Sequence, residues 1–194
     1  VTAAGLTSNV PFNGMVGSGS YSIVGYNPGP DEAVPHARQE IVGGDYFKAM
    51  QIPLVGGRVF TDADGAEAPP VVVVDEYLVN RYFRDKSPLG QQIRRGGPDS
   101  PPFTIVGVVG TINSDDLGQP VEKERIYYPV TQTPVPSLAL VLKTGLDPRT
   151  LVSQVRVAVQ SIDPEQPLAD VRTMDQWVSR SLQTRQVPTL LLTM

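Results

Sequence analysis

The chain has 194 residues, 40% of them hydrophobic and 19% charged, with a net charge of −4, so it can hold a core and lacks the charge excess of a disordered segment. With no cysteine it forms no disulfide and offers neither a thiol nucleophile nor a Cys-based zinc site. With no basic cluster beyond Arg94-Arg95, which reads as a solvated loop, it lacks the positive stripe that nucleic acid rewards.

No charged-then-apolar leader and no run of about 18 apolar residues are present, so the sequence reads as a soluble chain without signal peptide or membrane span. Residues 1–12 (VTAAGLTSNVPF) read as a strand entered midway, 13–20 as a Gly/Ser/Asn loop and 21–26 (YSIVGY) as a short strand. Prolines force residues 27–35 into a loop, and 36–42 can form the next strand. Residues 45–50 give one or two helical turns with Tyr46, Phe47 and Met50 on one side, stopped by Pro53. Gly56-Gly57 then reads as a tight turn and 60–67 as a polar loop.

The four valines at 71–74 are the pattern of a strand buried on both faces. Asp75 follows as N-cap of a helix over 76–83, with Glu76 at the positive helix end and Leu78, Val79, Tyr82 and Phe83 on the buried face. After the Ser87-Pro88-Leu89-Gly90 turn come strands at 91–93, 103–109 and 126–130, the last preceded by a charged stretch at 122–125. Residues 138–143 (LALVLK) form another strand. Asp147-Pro148 places a cap and an N1 proline at a helix start, with Leu151, Val155, Ala158, Val159 and Ile162 as one apolar stripe. A strand at 168–172 and a helix opened by the Thr173/Gln176 capping box complete a strand–helix–strand–helix tail, each helix able to cover a sheet. Pro188 and Leu190-Leu191-Leu192 read as a cut element, so the chain is expected to be an excised piece.

The search for chemistry yields no constellation. His36, the single histidine, has no second histidine for a usual zinc set and no G-x-S-x-G serine for a triad. Asp62-Ala63-Asp64-Gly65 resembles the start of a calcium loop but its glycine comes one pair early, and an acidic turn capping its own backbone explains it better. Gly17-Ser18-Gly19 lacks the strand-to-helix context of a dinucleotide fingerprint, and Gly107 and Gly110 lack the lysine of a phosphate loop; both read as turn glycines. Trp177 belongs to a helix stripe, and Tyr46, Tyr82, Tyr127 and Tyr128 read as half-buried packing. No catalytic, cofactor-binding or metal residue is assigned, and no cofactor is expected.

The segments GGDYFKAMQIPLVGGRVFTDAD, PPVVVVDEYLVNRYF, SPLGQQI, TIVGVVG, ERIYYP, DPRTLVSQVRVAVQSIDPEQPL and VRTMDQWVSRSL follow one another as in a single family. Together they resemble the MacB-like periplasmic core domain of FtsX-type ABC transporter permeases, especially the large permeases abundant in some soil bacteria. Asp75 departs from the asparagine expected after the valine strand; either residue caps a helix.

The resemblance implies an α+β, two-lobed fold. A porter-like βαβ lobe (1–40 and 130–187) would carry an inserted mixed α/β, Sabre-like lobe (41–129), with 188–194 approaching a missing membrane helix. It further implies a non-catalytic extracytoplasmic domain between the first and second membrane helices of an inner-membrane permease. That domain would transmit motion driven by a cytoplasmic ABC ATPase to export or to a periplasmic adaptor or substrate protein. The full-length protein would be a homodimer, with one membrane helix upstream and three downstream of this segment. The alternative reading is an extracytoplasmic module whose interlobe cleft binds a small ligand or lipid; a hydrolase with unfamiliar residues is a third.

Overall fold

A computed structural model of the chain describes residues 1–13, 17–97, 99–114, 121 and 123–191. Nine strands are found among them: β1 (Ala3–Thr7), β2 (Ser18–Ile23), β3 (His36–Gly44), β4 (Leu54–Gly57), β5 (Val71–Asp75), β6 (Gln92–Arg95), β7 (Pro102–Val109), β8 (Arg125–Pro129) and β9 (Ala139–Lys143). The helices are α1 (Tyr46–Ala49), α2 (Glu76–Tyr82), α3 (Val152–Ile162), which follows a 3₁₀ turn at Pro148–Leu151, and α4 (Met174–Leu191).

The strands form one sheet in the order β2-β6-β7-β5-β8-β3-β1-β9. Its path bends back on itself because β2 divides its pairing. Residues 18–20 lie antiparallel to β3, and residues 21–23 antiparallel to β6. The ladders β2–β6–β7–β5–β8–β3–β2 thereby close a ring of six strands, with β3–β8 and β5–β7 parallel. Closure removes open edges, the feature of a sheet that invites unwanted pairing.

Alternation along each strand sorts side chains to two faces. All six ring strands contribute to one buried cluster, which includes Tyr21, Ile41, Val72, Ile93, Ile105 and Tyr128 and therefore fills the ring. Leu78 and Phe83 at the two ends of α2 join it. Val42, Val73, Val109 and Tyr127 point the other way and are covered by Tyr46 and Phe47 of α1 together with Ile52. The close fit of α1 depends on Gly5 of β1, where a Cβ would stand 2.4 Å from the Tyr46 Cα. All of β5 is buried, as the valine run requires of a strand covered on both faces.

Outside the ring, β1 pairs with residues 42–44 of β3, and β9 pairs along all of β1. Most predicted elements have an observed counterpart, some with shifted bounds, such as β2, which starts at Ser18 inside the stretch 13–20 expected as a loop. Gly56-Gly57 is not a tight turn but the end of β4, which pairs with β7 through a bulge between Leu54 and Gly56; the ladder prevails over the local turn preference. Residues 168–172 do not form a strand: Asp170 has φ +54 and binds Arg172 at 2.6 Å, a local kink, and no ladder takes them up. The apolar stripe predicted for 151–162 does not cover a sheet. Leu151 is buried in the 3₁₀ turn, but no residue of α3 is, and Ile162 is 88% exposed. The predicted ending at 188–194 lies partly outside the described residues; α4 itself continues through Pro188 to Leu191.

Candidate functional site

A charged pair enters the ring at the start of β8, in the stretch read from sequence as charged. Glu124 and Arg125 are 1% and 3% exposed. As neighbours at a strand they point to opposite faces, and each finds partners from distant elements. On the outer face Arg125 donates one Nη to Glu40 Oε1 of β3 and the other to Ser114 Oγ. The Tyr46 hydroxyl of α1 donates to Glu40 Oε2 at 3.1 Å. Burial, reinforced by the Glu40 charge, pushes that hydroxyl well above its ordinary pKa, so it remains a donor.

On the inner face the Tyr21 hydroxyl donates to Glu124 Oε1 at 3.0 Å, and Arg81 of α2 reaches the same oxygen at 3.1 Å. Burial first and Glu124 second push the Tyr21 hydroxyl far up. The Arg81 side chain is half exposed and carries this chain of contacts to the surface. There Arg81, Tyr82, Arg84, Asp85 and Lys86 line a shallow groove of about 360 Å³. Two adjacent residues at the start of β8 thus tie together β2, β3, α1, α2 and the segment after β7. A buried charge without a partner costs several kcal/mol, so each tie fixes its element in place. The donors and acceptors of these two clusters hold structure.

The residues considered from sequence take other roles. His36 is exposed at the start of β3, across from Ser20. Asp64 accepts two bonds from Arg58, at 2.7 and 2.8 Å, and the Thr61 amide at 2.9 Å, so the acidic turn does cap its own backbone. The Arg58 bonds hold its carboxyl below the usual carboxylate range. Of Gly17-Ser18-Gly19, Gly19 is not a turn glycine but lies with Ser18 in β2, where it pairs with Ala37 of β3. Gly107 is not a turn glycine but lies inside β7, where the Arg58 backbone carbonyl approaches so closely that a Cβ would overlap it. Gly110 faces the Pro53 ring in the same way.

Arg94 and Arg95 lie in β6 instead of a loop; Arg95 donates to Gln39 at 2.8 Å and stacks over Tyr128. Tyr46, Tyr127 and Tyr128 are wholly buried, beyond the half-burial expected, while Tyr82 is intermediate. Trp177 is half-buried on α4 under the Arg172 guanidinium, 4.6 Å from its ring. Among the described residues no group of three or more His, Asp or Glu side chains converges as a metal set. What sequence reasoning missed is Glu40, Glu124 and Arg125. The available signal was alternation: Glu40 shares a face with Val42 in HARQEIVGG, and Arg125 shares one with Tyr127.

Residues 4–166 match the family described as "MacB-like periplasmic core domain". The chain belongs to that family. It is thus a periplasmic domain of the MacB/FtsX type of ABC transporter permease.

Over 70 residues this MacB-like domain is 36% identical to the macrolide export ATP-binding/permease protein MacB of Neisseria gonorrhoeae, and equally to that of Neisseria meningitidis serogroup A. The aligned part is 35% of this chain and spans only 10% of the length of those relatives. The periplasmic region of MacB from Actinobacillus actinomycetemcomitans has a similar fold, with TM-score 0.53 and 19% identity over 81% of this chain and 66% of that one. So does the extracellular domain of the noncanonic ABC-type transporter YknZ from Gram-positive bacteria, with TM-score 0.54 and 16% identity over 86% and 78%. The sheet-dominated mixed α/β architecture is common to them. No helix among the described residues is long and apolar enough to cross a membrane.

Proposed function

We propose that this MacB-like domain is the moving, partner-contacting module of an ABC transporter permease and makes or breaks no covalent bond. It stands outside the inner membrane between the first and second membrane helices, in a homodimer whose associated ATPase works from the cytoplasm. The membrane helices displace the domain as ATP is hydrolysed, and the domain passes that motion to export or to a periplasmic adaptor or substrate protein.

Within it we assign two lobes, residues 1–40 with 130–187 as a porter-like lobe and 41–129 as an inserted Sabre-like lobe. β3 runs across their boundary: its first half pairs with β2 and β8, its last residues with β1. A strand shared in this way lets the lobes move as one body. The observation that carries the reading is the family match over residues 4–166. The braces of Glu124 and Arg125 suit it, because a body that transmits force must resist shear between its elements.

The test uses the full-length permease with its ATPase in vesicles. Replacing residues 4–166 by a flexible linker is expected to leave basal ATP hydrolysis intact and abolish export. Export at the original rate without the domain, or nucleotide or ester hydrolysis by the purified domain at enzyme-like rates, overturns the proposal.

A further inference from the structure

Asp75 ends β5, caps α2 and is 1% exposed. Its Oδ1 accepts from the Leu78 amide at 3.0 Å, and its Oδ2 from the Thr111 hydroxyl at 3.3 Å. The backbone amide of Arg125, across the β5–β8 ladder, also bonds it. The same Thr111 oxygen accepts from the Tyr77 amide at 3.0 Å. Two amides of the first turn of α2 are therefore satisfied through one carboxyl and one hydroxyl. That hydroxyl belongs to the segment 110–114 that leaves β7. The far end of this segment is fixed as well, since the Ser114 carbonyl accepts from the Phe12 amide at 2.7 Å and its hydroxyl from Arg125.

The charges around Asp75 do not balance. The nearby cation is Arg125 of β8, whose guanidinium is engaged by Glu40 of β3 and by Ser114. Tyr127 of β8 faces the same region, and Tyr46 of α1 lies behind Glu40. From α2, the Glu76 carboxylate stands by Gly110 and Tyr77 adjoins Thr111. Two buried carboxyls thus face one guanidinium. Burial outweighs the amide bonds and the Arg125 charge, and pushes the Asp75 carboxyl up to about 6.

We propose that Asp75 is a proton-operated latch that holds the 110–114 segment against the β5–α2 corner. Protonated, Asp75 can donate to Thr111 while its other oxygen keeps the Leu78 amide. Ionised, its charge is better solvated when the segment lifts and admits water, so the corner opens more often. The latch closes in acid and loosens toward neutral pH. The family places this corner in the periplasm, a compartment exposed to the pH of the surroundings.

Amide hydrogen exchange at residues 77, 78 and 111–113, corrected for intrinsic rates, tests the latch at about pH 5 and about pH 7.5. In the wild-type domain the open state should be about tenfold rarer at the lower pH. In Asp75→Asn, which caps without a titrating proton, that ratio should fall to about one. Thr111→Val should keep the pH dependence at Leu78 and lose it at residues 112 and 113. If neither variant folds, the carbon-13 titration of the wild-type Asp75 carboxyl decides. A midpoint near 6 supports the latch; a midpoint near 4, or equal wild-type protection at both pH values, overturns it.

Discussion

In the six-stranded ring every strand offers side chains to a shared interior, and Tyr21, Val72, Ile93 and Ile126 are fully covered. Beyond β9 the arrangement inverts. α3 has a clear apolar stripe yet buries none of its residues, Val157 and Ile162 stand in solvent, and Leu182 of α4 is half exposed. Both regions have hydrophobic patterning of the right period, so periodicity alone does not distinguish them. What separates them is whether distant strands arrive to cover the pattern. An amphipathic stripe specifies a helix; only tertiary partners make it a core.

The largest effect expected from this contrast is at the buried charges. Arg125→Ala leaves Glu40 and Asp75 buried without their cation and should cost about 3–5 kcal/mol in urea unfolding. Replacing the Glu40–Arg125 pair together by methionines should recover part of it, since Glu40 is then no longer an orphan charge while Asp75 still lacks its cation. Arg149→Ala, which removes the solvent-exposed partner of Asp147, should leave the midpoint where it is. A wild-type midpoint for Arg125→Ala would mean that the braces carry no weight.

Apolar truncations sharpen the same comparison. Leu78→Ala removes a fully buried side chain from the ring cluster and should cost about 2–5 kcal/mol. Val159→Ala, on the stripe of α3, should cost less than about 1 kcal/mol because water already reaches it. Equal losses at the two sites would show that α3 is covered in solution.

The local part of this architecture is legible in the chain. Four consecutive valines, the Asp75 cap and the Thr173/Gln176 box each depend on residues within a few positions, and each forms as its chemistry dictates. The ring is not legible, because its closure rests on β2 dividing its ladder between two strands far apart in sequence. The charged braces were hidden for the same reason. Arg125 meets Glu40 across 85 positions and Glu124 meets Tyr21 across 103, so locally the pair resembles a solvated turn. Gly107 misled in a different way: a glycine in a strand marks close backbone approach as readily as a turn.

Asp75→Asn probes the ring through pH. The native carboxyl titrates near 6 and the unfolded one near 3.8, so the native state holds the extra proton between those values. The contribution of Asp75 to stability is therefore greatest below about pH 4, declines as pH rises to about 6, and stays low above it. Asparagine removes the penalty at neutral pH and should raise stability there by up to about 3 kcal/mol, with no gain below pH 4. Urea midpoints of both proteins across pH 4–7.5 measure this. Parallel curves would remove the buried carboxyl from the account.

The smallest effect belongs to the uncovered third, and its location matters more than its size. Thr173 and Gln176 exchange bonds at the start of α4: the Gln176 side chain accepts from the Thr173 amide at 2.9 Å, and the Thr173 hydroxyl from the Gln176 amide at 3.3 Å. Thr173→Ala should cost about 1 kcal/mol of helix stability. Because none of residues 174–182 of α4 is buried, that loss should appear as faster amide exchange over its first two turns. The unfolding midpoint of the ring, read from the near-ultraviolet signal of its buried tyrosines, should not move. A shift of that midpoint matching the local loss would mean that ring and tail unfold as one cooperative unit, and the division drawn between them would then be one of coverage alone, not of stability.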